Sequence, residues 1–406
     1  MRNIIGDNRQ KSYTVISFLV ILITYSLMIV YIPEIYGGGY ADEVIYITAG
    51  KRYIVGQPPY FYNFEHPPLA KYLIGLSLIL FNEPRVLNIL MGFLILLIVY
   101  ALLNKLTNCR KAFWGVLLLA VDTIFVKVSK HALLEPSLMF FTALAIYFSV
   151  INVAGLSLNM NTQIKRYIAE GISWGLALAS KLSCLYVLIF SLFFRLLAKL
   201  ERKMLKMLLV ISVCSITSYT ITYLMDFIHG GLELAIKHNV DMLSYMAYKH
   251  SPTLLTIING FFLAFLKIEI WPKLPNVFMT LFISNESIIN YTMETIKTSY
   301  KLEVIINPAF GSFILPLAPY LYTYIFLVWR RLSDAEKYLA ILGVASFALL
   351  IHGSIPWYYY LPTVVTAINL CLILNERKLL VILLSTIIYY LILVFLNLNE
   401  VIYVSL

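Results

Sequence analysis

Two carboxylates stand side by side at Asp42 and Glu43. His66-Pro67-Pro68, Lys71 and Arg85 follow, all between two apolar runs of membrane length. Further along, Lys130, His131 and Glu135 crowd the segment SKHALLEP, and Lys181 interrupts the apolar run GLALASKLSCLYVL. Each of these residues has a plain structural use. Asp42, after a Gly-rich stretch, suits the cap of a short helix, because its side chain accepts from free N–H groups and its charge matches that helix end. Pro is tolerated in a first helical turn, so His66-Pro67-Pro68 can simply open a helix. The same N-terminus, with Lys71 just over a turn along, is also an anion site. Arg85 after Pro84 can snorkel from the end of a span. Glu135 and Lys181 lie inside apolar runs, where ionisable groups are expensive and more often functional. Asp122 and Lys127 share that feature, but can satisfy each other or the backbone.

The elements that must position these residues are set by composition. A chain of 406 residues that is 61% apolar and 13% charged exceeds what one soluble core can hide, so lipid is its solvent. The net charge of +10 sits in short clusters beside apolar runs rather than along one face, which is the pattern of cytoplasmic loops and not of a nucleic-acid surface. Cys109, Cys184, Cys214 and Cys371 show no CxxC spacing and argue against a disulfide framework.

Arg2, Arg9 and Lys11 place the N-terminus inside. Spans are then expected at 13–32, 84–104, 113–128 and 133–153, followed by two short helices meeting near Lys181 and a span at 207–226. The run TLLTIINGFFLAFL is expected to lie on or dip into the outer leaflet, since a crossing there would put the basic clusters at 329–331 and 375–378 outside. Four more spans, at 309–329, 335–351, 359–374 and 379–396, make about eleven and leave the C-terminus outside. The sequons at Asn285 and Asn290 fall in the loop placed outside. On this topology Asp42, Glu43, Lys51, Arg52, Glu65, His66, Lys71, Arg85, Lys130, His131, Glu135 and Lys181 gather at the outer ends of the first six spans. A catalytic pocket at the outer membrane face is the expectation.

In order, the Asp-Glu pair in the first outer loop, HPPLAK, the Arg opening "EPRVLNILMGFLILLIVYAL", SKHALLEP and GLALASKLSCLYVL resemble the protein O-mannosyltransferases. These are the dolichyl-phosphate-mannose-dependent branch of the membrane-embedded C-type glycosyltransferases. Trp271-Pro272, Asn307-Pro308 and PWYYYLP at 356–362 continue the resemblance more faintly. The chain departs from the family at Ala70, Lys130 and Glu135, where Gly, Arg and Asp are usual. It also has no room for the soluble MIR domain of eukaryotic members, which implies a minimal prokaryotic, archaeal form.

The resemblance implies an all-α polytopic membrane protein with a C-type glycosyltransferase fold and outer juxtamembrane helices. It would be a single domain: 1–226 a catalytic module of seven spans with outer loop 33–83, 227–307 an outer region, and 308–406 four further spans. The implied donor is mannose on dolichyl or another polyprenyl phosphate, and the acceptor is a Ser or Thr hydroxyl of a protein, reached at the extracytoplasmic face of the cell membrane. A phosphate leaves without a proton, so cations matter more than a general acid. Arg85 is the first choice for them, with Lys71, Lys181 and His66 as helpers. The hydroxyl must lose a proton, which Asp42 can take as base. Glu43 positions the acceptor or orients basic neighbours, and Glu135, Lys130 and His131 serve in positioning. Trp357 and Tyr358 suit an interface belt by default, or else border the substrate groove. A single attack inverts the anomeric carbon. No cofactor is required. Asp42, Glu43 and Glu135 could together hold Mg or Mn, although no ligand spacing is diagnostic.

Pairing with itself or a paralogue is left open, as is an acceptor that is a lipid or glycan, as in the enzymes that add aminoarabinose to outer lipids. An oligosaccharyltransferase is disfavoured by the missing WWDYG-like motif. A secondary transporter would place its polar groups near the midplane and show internal repeats, and an inactive assembly subunit would have no use for the carboxylates and Arg85.

Overall fold

The computed structural model describes residues 2–31, 41–154, 160–198, 202–249, 253–266, 268–273, 301–306, 312–352, 356–395 and 402–405. The first apolar run carries no Pro and forms one helix, α1 (Arg2–Tyr31), whose Tyr13–Tyr31 part is long and apolar enough to cross a membrane. Two short helices make the first polar loop: α2 (Ala41–Ile54) and α3 (Leu69–Phe81), joined through a 3-10 turn at Pro59–Phe61. Asn82 ends α3 in the left-handed region at φ 55°, which turns the chain into α4 (Val86–Leu106), the second helix of crossing length. The α2–α3 crossing is backbone to backbone. A Cβ on Gly50 would stand 2.6 Å from the Lys71 carbonyl oxygen, and one on Gly75 would collide with the Gly50 carbonyl.

The expected third span, 113–128, is two helices. α5 (Cys109–Ala120) and α6 (Thr123–Lys130) meet at 63°. Asp122 makes the bend: its Oδ1 accepts the N–H groups of Ile124 and Phe125 at 3.1 and 3.2 Å, while Oδ2 accepts Ser312 Oγ at 2.6 Å and the Phe313 N–H at 2.9 Å. The charge of Asp122 is thus met by the backbone and by Ser312. α7 (Glu135–Val153) is the third helix of crossing length.

α8 (Met160–Ser180) packs between α7 and α10 (Arg202–Ile221). It stops at Lys181, as expected: Lys181 is extended at φ −163°, and a 3-10 turn at Leu182–Cys184 leads into α9 (Leu185–Ala198). The span expected to reach 226 ends at Ile221. The chain then turns by 99° into α11 (Leu224–Lys249), itself broken at Gly230–Gly231, where Gly231 adopts φ +66°.

α12 (Leu254–Leu266) covers most of the TLLTIINGFFLAFL run. At 1.5 Å per residue its 13 residues extend only about 20 Å, short of a hydrocarbon core about 30 Å thick. Its buried face is fixed by Tyr359, whose hydroxyl donates to the Gly260 carbonyl at 3.2 Å. The all-α expectation fails locally: β1 (Ile268–Lys273), β2 (Lys301–Ile306) and β3 (Ile402–Ser405) form an antiparallel sheet in that order, with Glu303 opposite both Trp271 and Ser405. The sequons at 285–287 and 290–292 and the Asn307-Pro308 pair lie outside the described residues.

Between β2 and β3 the chain forms α13 (Ala318–Val328), α14 (Asp334–Ser346), α15 (Tyr360–Ile373) and α16 (Glu376–Phe395). α15 is buried along nearly its whole length, and Tyr360 stacks on Phe125 of α6 with ring centroids 5.4 Å apart. Among the described residues three helices are long and apolar enough to cross a membrane, or five if each bent pair is one span. The broken and short helices pack around α4, α6, α7 and α15, the centre of one hydrophobic core.

Candidate active site

The Asp-Glu pair opens α2, with both carboxylates in its first turn. Glu43 points into the protein and is 2% exposed. Its two oxygens take a two-pronged hydrogen bond from Arg85, Nε to Oε1 at 2.6 Å and Nη2 to Oε2 at 2.8 Å. Oε1 also accepts the Ala132 N–H at 2.7 Å, and His131 Nδ1 stands 3.2 Å from Oε2. Burial pushes the Glu43 carboxyl up, but His131, Arg85 and the Ala132 N–H outweigh it and hold the group down to about 2 from an ordinary 4.5. Glu43 is a lock between α2, the α3–α4 turn and the α6–α7 loop. Of the two functions expected for it, orienting basic neighbours is the one this geometry serves.

The locked partners are held from behind. Ser77 of α3 donates to the Glu83 carbonyl at 2.6 Å and accepts the Leu87 N–H at 3.2 Å, which sets the turn carrying Arg85. Asn88, in the first turn of α4, donates to the His131 and Leu133 carbonyls at 2.7 and 2.9 Å. Arg85 itself stays 31% exposed, so its guanidinium faces both Glu43 and the outside.

A second buried group lies across the same loop. Glu135 opens α7 and takes a hydrogen bond of 2.5 Å from Lys181 Nζ, at the α8 break. Lys181 also sits 5.2 Å from the centre of the Tyr358 ring. Tyr46 of α2 is buried beside the His66 ring. Burial first, and then the charges of Glu135, Asp42 and Glu65, raise its phenol well above the usual range. Asp42 is half-buried on this rim.

Two expectations need correction. Lys71, expected at the donor phosphate, is fully buried and points into its own loop: Nζ donates to the Asn63 and His66 carbonyls at 2.5 and 2.8 Å and lies 3.3 Å from the Tyr53 hydroxyl. With three donors so placed, it clamps the HPP turn to α2. His66 supplies one of those carbonyls and buries its ring against Tyr46. A cation site made of Asp42, Glu43 and Glu135 does not fit either, because Glu43 faces Arg85 and Glu135 faces Lys181. Among the described residues no three His, Cys, Asp or Glu side chains converge as metal ligands. Lys130 is half-buried at the end of α6. The backbone of Trp357 lies in the 3-10 turn Pro356–Tyr359, and its side chain is outside the described residues.

Residues 65–223 match the family described as dolichyl-phosphate-mannose-protein mannosyltransferase. The resemblance to the protein O-mannosyltransferases holds over this segment. It runs from just before α3 to just past α10 and contains Arg85, His131, Glu135 and Lys181, while Asp42 and Glu43 precede it. No curated protein matches the chain by sequence.

Among solved structures, the chain superposes on ArnT from Cupriavidus metallidurans bound to undecaprenyl phosphate with a TM-score of 0.57 at 15% identity, over 91% of this chain and 62% of that one. It superposes on the oligosaccharyltransferase AglB from Archaeoglobus fulgidus, in complex with an inhibitory peptide and a dolichol-phosphate, with a TM-score of 0.52 at 15% identity, over 90% of this chain and 50% of that one. The Saccharomyces cerevisiae protein O-mannosyltransferase Pmt1-Pmt2 complex aligns over 54% of this chain and 34% of that chain, at 20% identity and a TM-score of 0.42. The chain thus spans about three fifths of the ArnT chain and half of the AglB chain. These likenesses show that the protein has the fold of the C-type glycosyltransferases.

Proposed function

We propose that this protein is an inverting glycosyltransferase that moves mannose from a polyprenyl phosphate, dolichyl phosphate by the family's usage, to Ser or Thr hydroxyls of a protein at the outer membrane face. The reading rests on one observation above all. Glu43 draws Arg85 and His131 to the first turn of α2, the turn that also carries Asp42, and leaves the Arg85 side chain 31% exposed.

In this reading the acceptor oxygen attacks the anomeric carbon from the side opposite the phosphate. Asp42 takes the hydroxyl proton as the new C–O bond forms. The bond from the anomeric carbon to the phosphate oxygen breaks, and both its electrons leave with the lipid phosphate. Arg85 faces the charge that gathers there. Its orientation needs no rearrangement during the reaction, because Glu43 has already fixed the guanidinium plane. Lys181, paired to Glu135 and lying on Tyr358, shapes the rim rather than offering a free cation. The eleven-span topology with an extracytoplasmic site belongs to the same proposal. It is supported by the polar cluster at one end of the bundle and by the basic segments at the other.

The test is transfer of radiolabelled mannose from dolichyl phosphate mannose to a Ser/Thr-rich peptide by the purified protein. Wild type is expected to label the peptide, and Asp42→Asn to lose transfer by about 100-fold or more, the usual contribution of a general base. Label found in a lipid extract instead of the peptide would keep the donor and overturn the acceptor. Full transfer by Asp42→Asn would remove Asp42 from the chemistry.

A further inference from the structure

α9, α13 and α14 leave an apolar groove between them. The Phe194 and Tyr338 rings, with centroids 5.5 Å apart, bring α9 against α14. Tyr322 ties α13 to α15: its ring lines the groove, and its hydroxyl lies 3.4 Å from both Thr366 Oγ1 and Asn369 Nδ2. The open walls are Phe193 and Leu197 of α9, Phe326 of α13, Trp329, and Ile341 and Val344 of α14. Phe193, Leu197, Phe326 and Val344 are each between 53% and 78% exposed. The cavity measures about 330 Å³, a size that holds a small ligand, and no charged side chain lines it.

One end of this groove is basic. Trp329 opens the 3-10 turn Trp329–Arg331, and Arg330 and Arg331 follow it, both exposed. The carboxylates that come next in the chain are already engaged. Glu336 accepts the N–H and the hydroxyl of Ser333 at the cap of α14, and Asp334 stands 3.8 Å from Lys337. At 1.5 Å per residue, about 18 Å of chain separates Phe193 from Lys181, so the groove is displaced from the rim that holds the Lys181–Glu135 pair.

An apolar chain with a negative head fits both parts, since burial rewards the chain and a guanidinium pairs well with phosphate. A lipid-linked sugar donor fits poorly, because its phosphate belongs at the rim and not beside Arg330. We propose that the groove binds one acyl chain of an anionic phospholipid of the bilayer, with the lipid phosphate on Arg330 and Arg331. The lipid would fill the space between α9, inside the segment that matches the family, and α13 and α14 beyond it. This inference needs only that lipid surrounds the chain. It does not depend on the enzymatic reading.

The test titrates the purified full chain in detergent with phosphatidylglycerol or phosphatidylcholine of the same acyl chains and counts bound lipids by native mass spectrometry. One site that prefers phosphatidylglycerol is expected. Replacing both arginines, Arg330→Gln with Arg331→Gln, should weaken that site by about 30-fold, the effect of two basic side chains on an anionic lipid. Val344→Trp fills the groove from an exposed position, so it should abolish the site while the lipid-free protein melts as wild type does. Dolichyl phosphate should not displace the bound phosphatidylglycerol. Equal affinity for the two lipids overturns the proposal. So does wild-type binding in either variant: retention in Val344→Trp would put the lipid outside the groove, and retention in the arginine variant would remove its head from the basic turn. Displacement by dolichyl phosphate would make the groove part of a donor site and overturn the proposal as well.

Discussion

Glu43 and Lys71 show how a buried charged side chain near the candidate site can be taken up entirely by protein partners. Glu43 contributes stability through a carboxyl held at about 2 in the folded chain against an ordinary 4.5. A lowered carboxyl stabilises fully above the ordinary value, and that stability is lost as pH falls through the window from about 4.5 to about 2. The melting temperature of wild type should fall across this window, and Glu43→Gln should flatten that part of the profile. At neutral pH the same variant should be less stable by about 1.5–3 kcal/mol, the value of a hydrogen bond to a charged group. For Lys71 the clamp gives a separate expectation. Lys71→Met strands two buried carbonyls at about 1–3 kcal/mol each, so thermal melting should drop while the folded fraction keeps its affinity for dolichyl phosphate. Lost affinity with unchanged melting would restore Lys71 to the phosphate site.

At the scale of elements, the rim exists because short helices cross where backbone can meet backbone. Gly75→Val should force α3 away from α2 and cost about 1–3 kcal/mol as overpacking, read as a lower melting temperature, with a further loss of transfer because α2 carries Asp42 and Glu43. The second buried pair makes the break at Lys181 a fixed feature. Glu135→Gln would leave the Lys181 charge uncompensated, a change that costs about 3–5 kcal/mol in buried pairs. Glu135→Asp, the residue usual in the family, shortens the reach to Lys181 and should fall between the two in melting. The break at Lys181 was legible, because a lysine in mid-run is a poor place to keep a helix in lipid. The bend at Asp122 was not, since its partners Ser312 and Phe313 are 190 and 191 residues away.

For the whole molecule, the helix lengths and the sheet bear on which way the chain threads the membrane. α12 is too short to cross alone and is pinned to Tyr359. Thr253→Cys, at its exposed N-terminal end, should therefore react with an impermeant maleimide added outside sealed cells, and not with one admitted only to the cytoplasm. Labelling from the cytoplasm would sink the topology in which α12 stays in the outer leaflet. α11 alters the same picture: the region after α10 opens with a helix docked on the first polar loop, where Asp226 accepts the Tyr60 N–H at 3.0 Å, rather than with a plain outer loop.

Composition alone determined that lipid is the solvent of this chain, since so much apolar surface fits no soluble core. Order and spacing singled out Asp42, Glu43, Arg85, Glu135 and Lys181 as candidates, because ionisable groups at the ends or breaks of apolar runs have few other uses. The tertiary structure decided their partners. Arg85 and Glu43 are 42 residues apart, and His131 and Glu43 are 88 apart. No local pattern states which carboxylate will be locked and which left at the rim. Asn88, Tyr46 and Tyr53 were missed for the same reason. A lone polar residue on a helix shows that it needs a hydrogen bond, and only the packing of other helices around it shows with what.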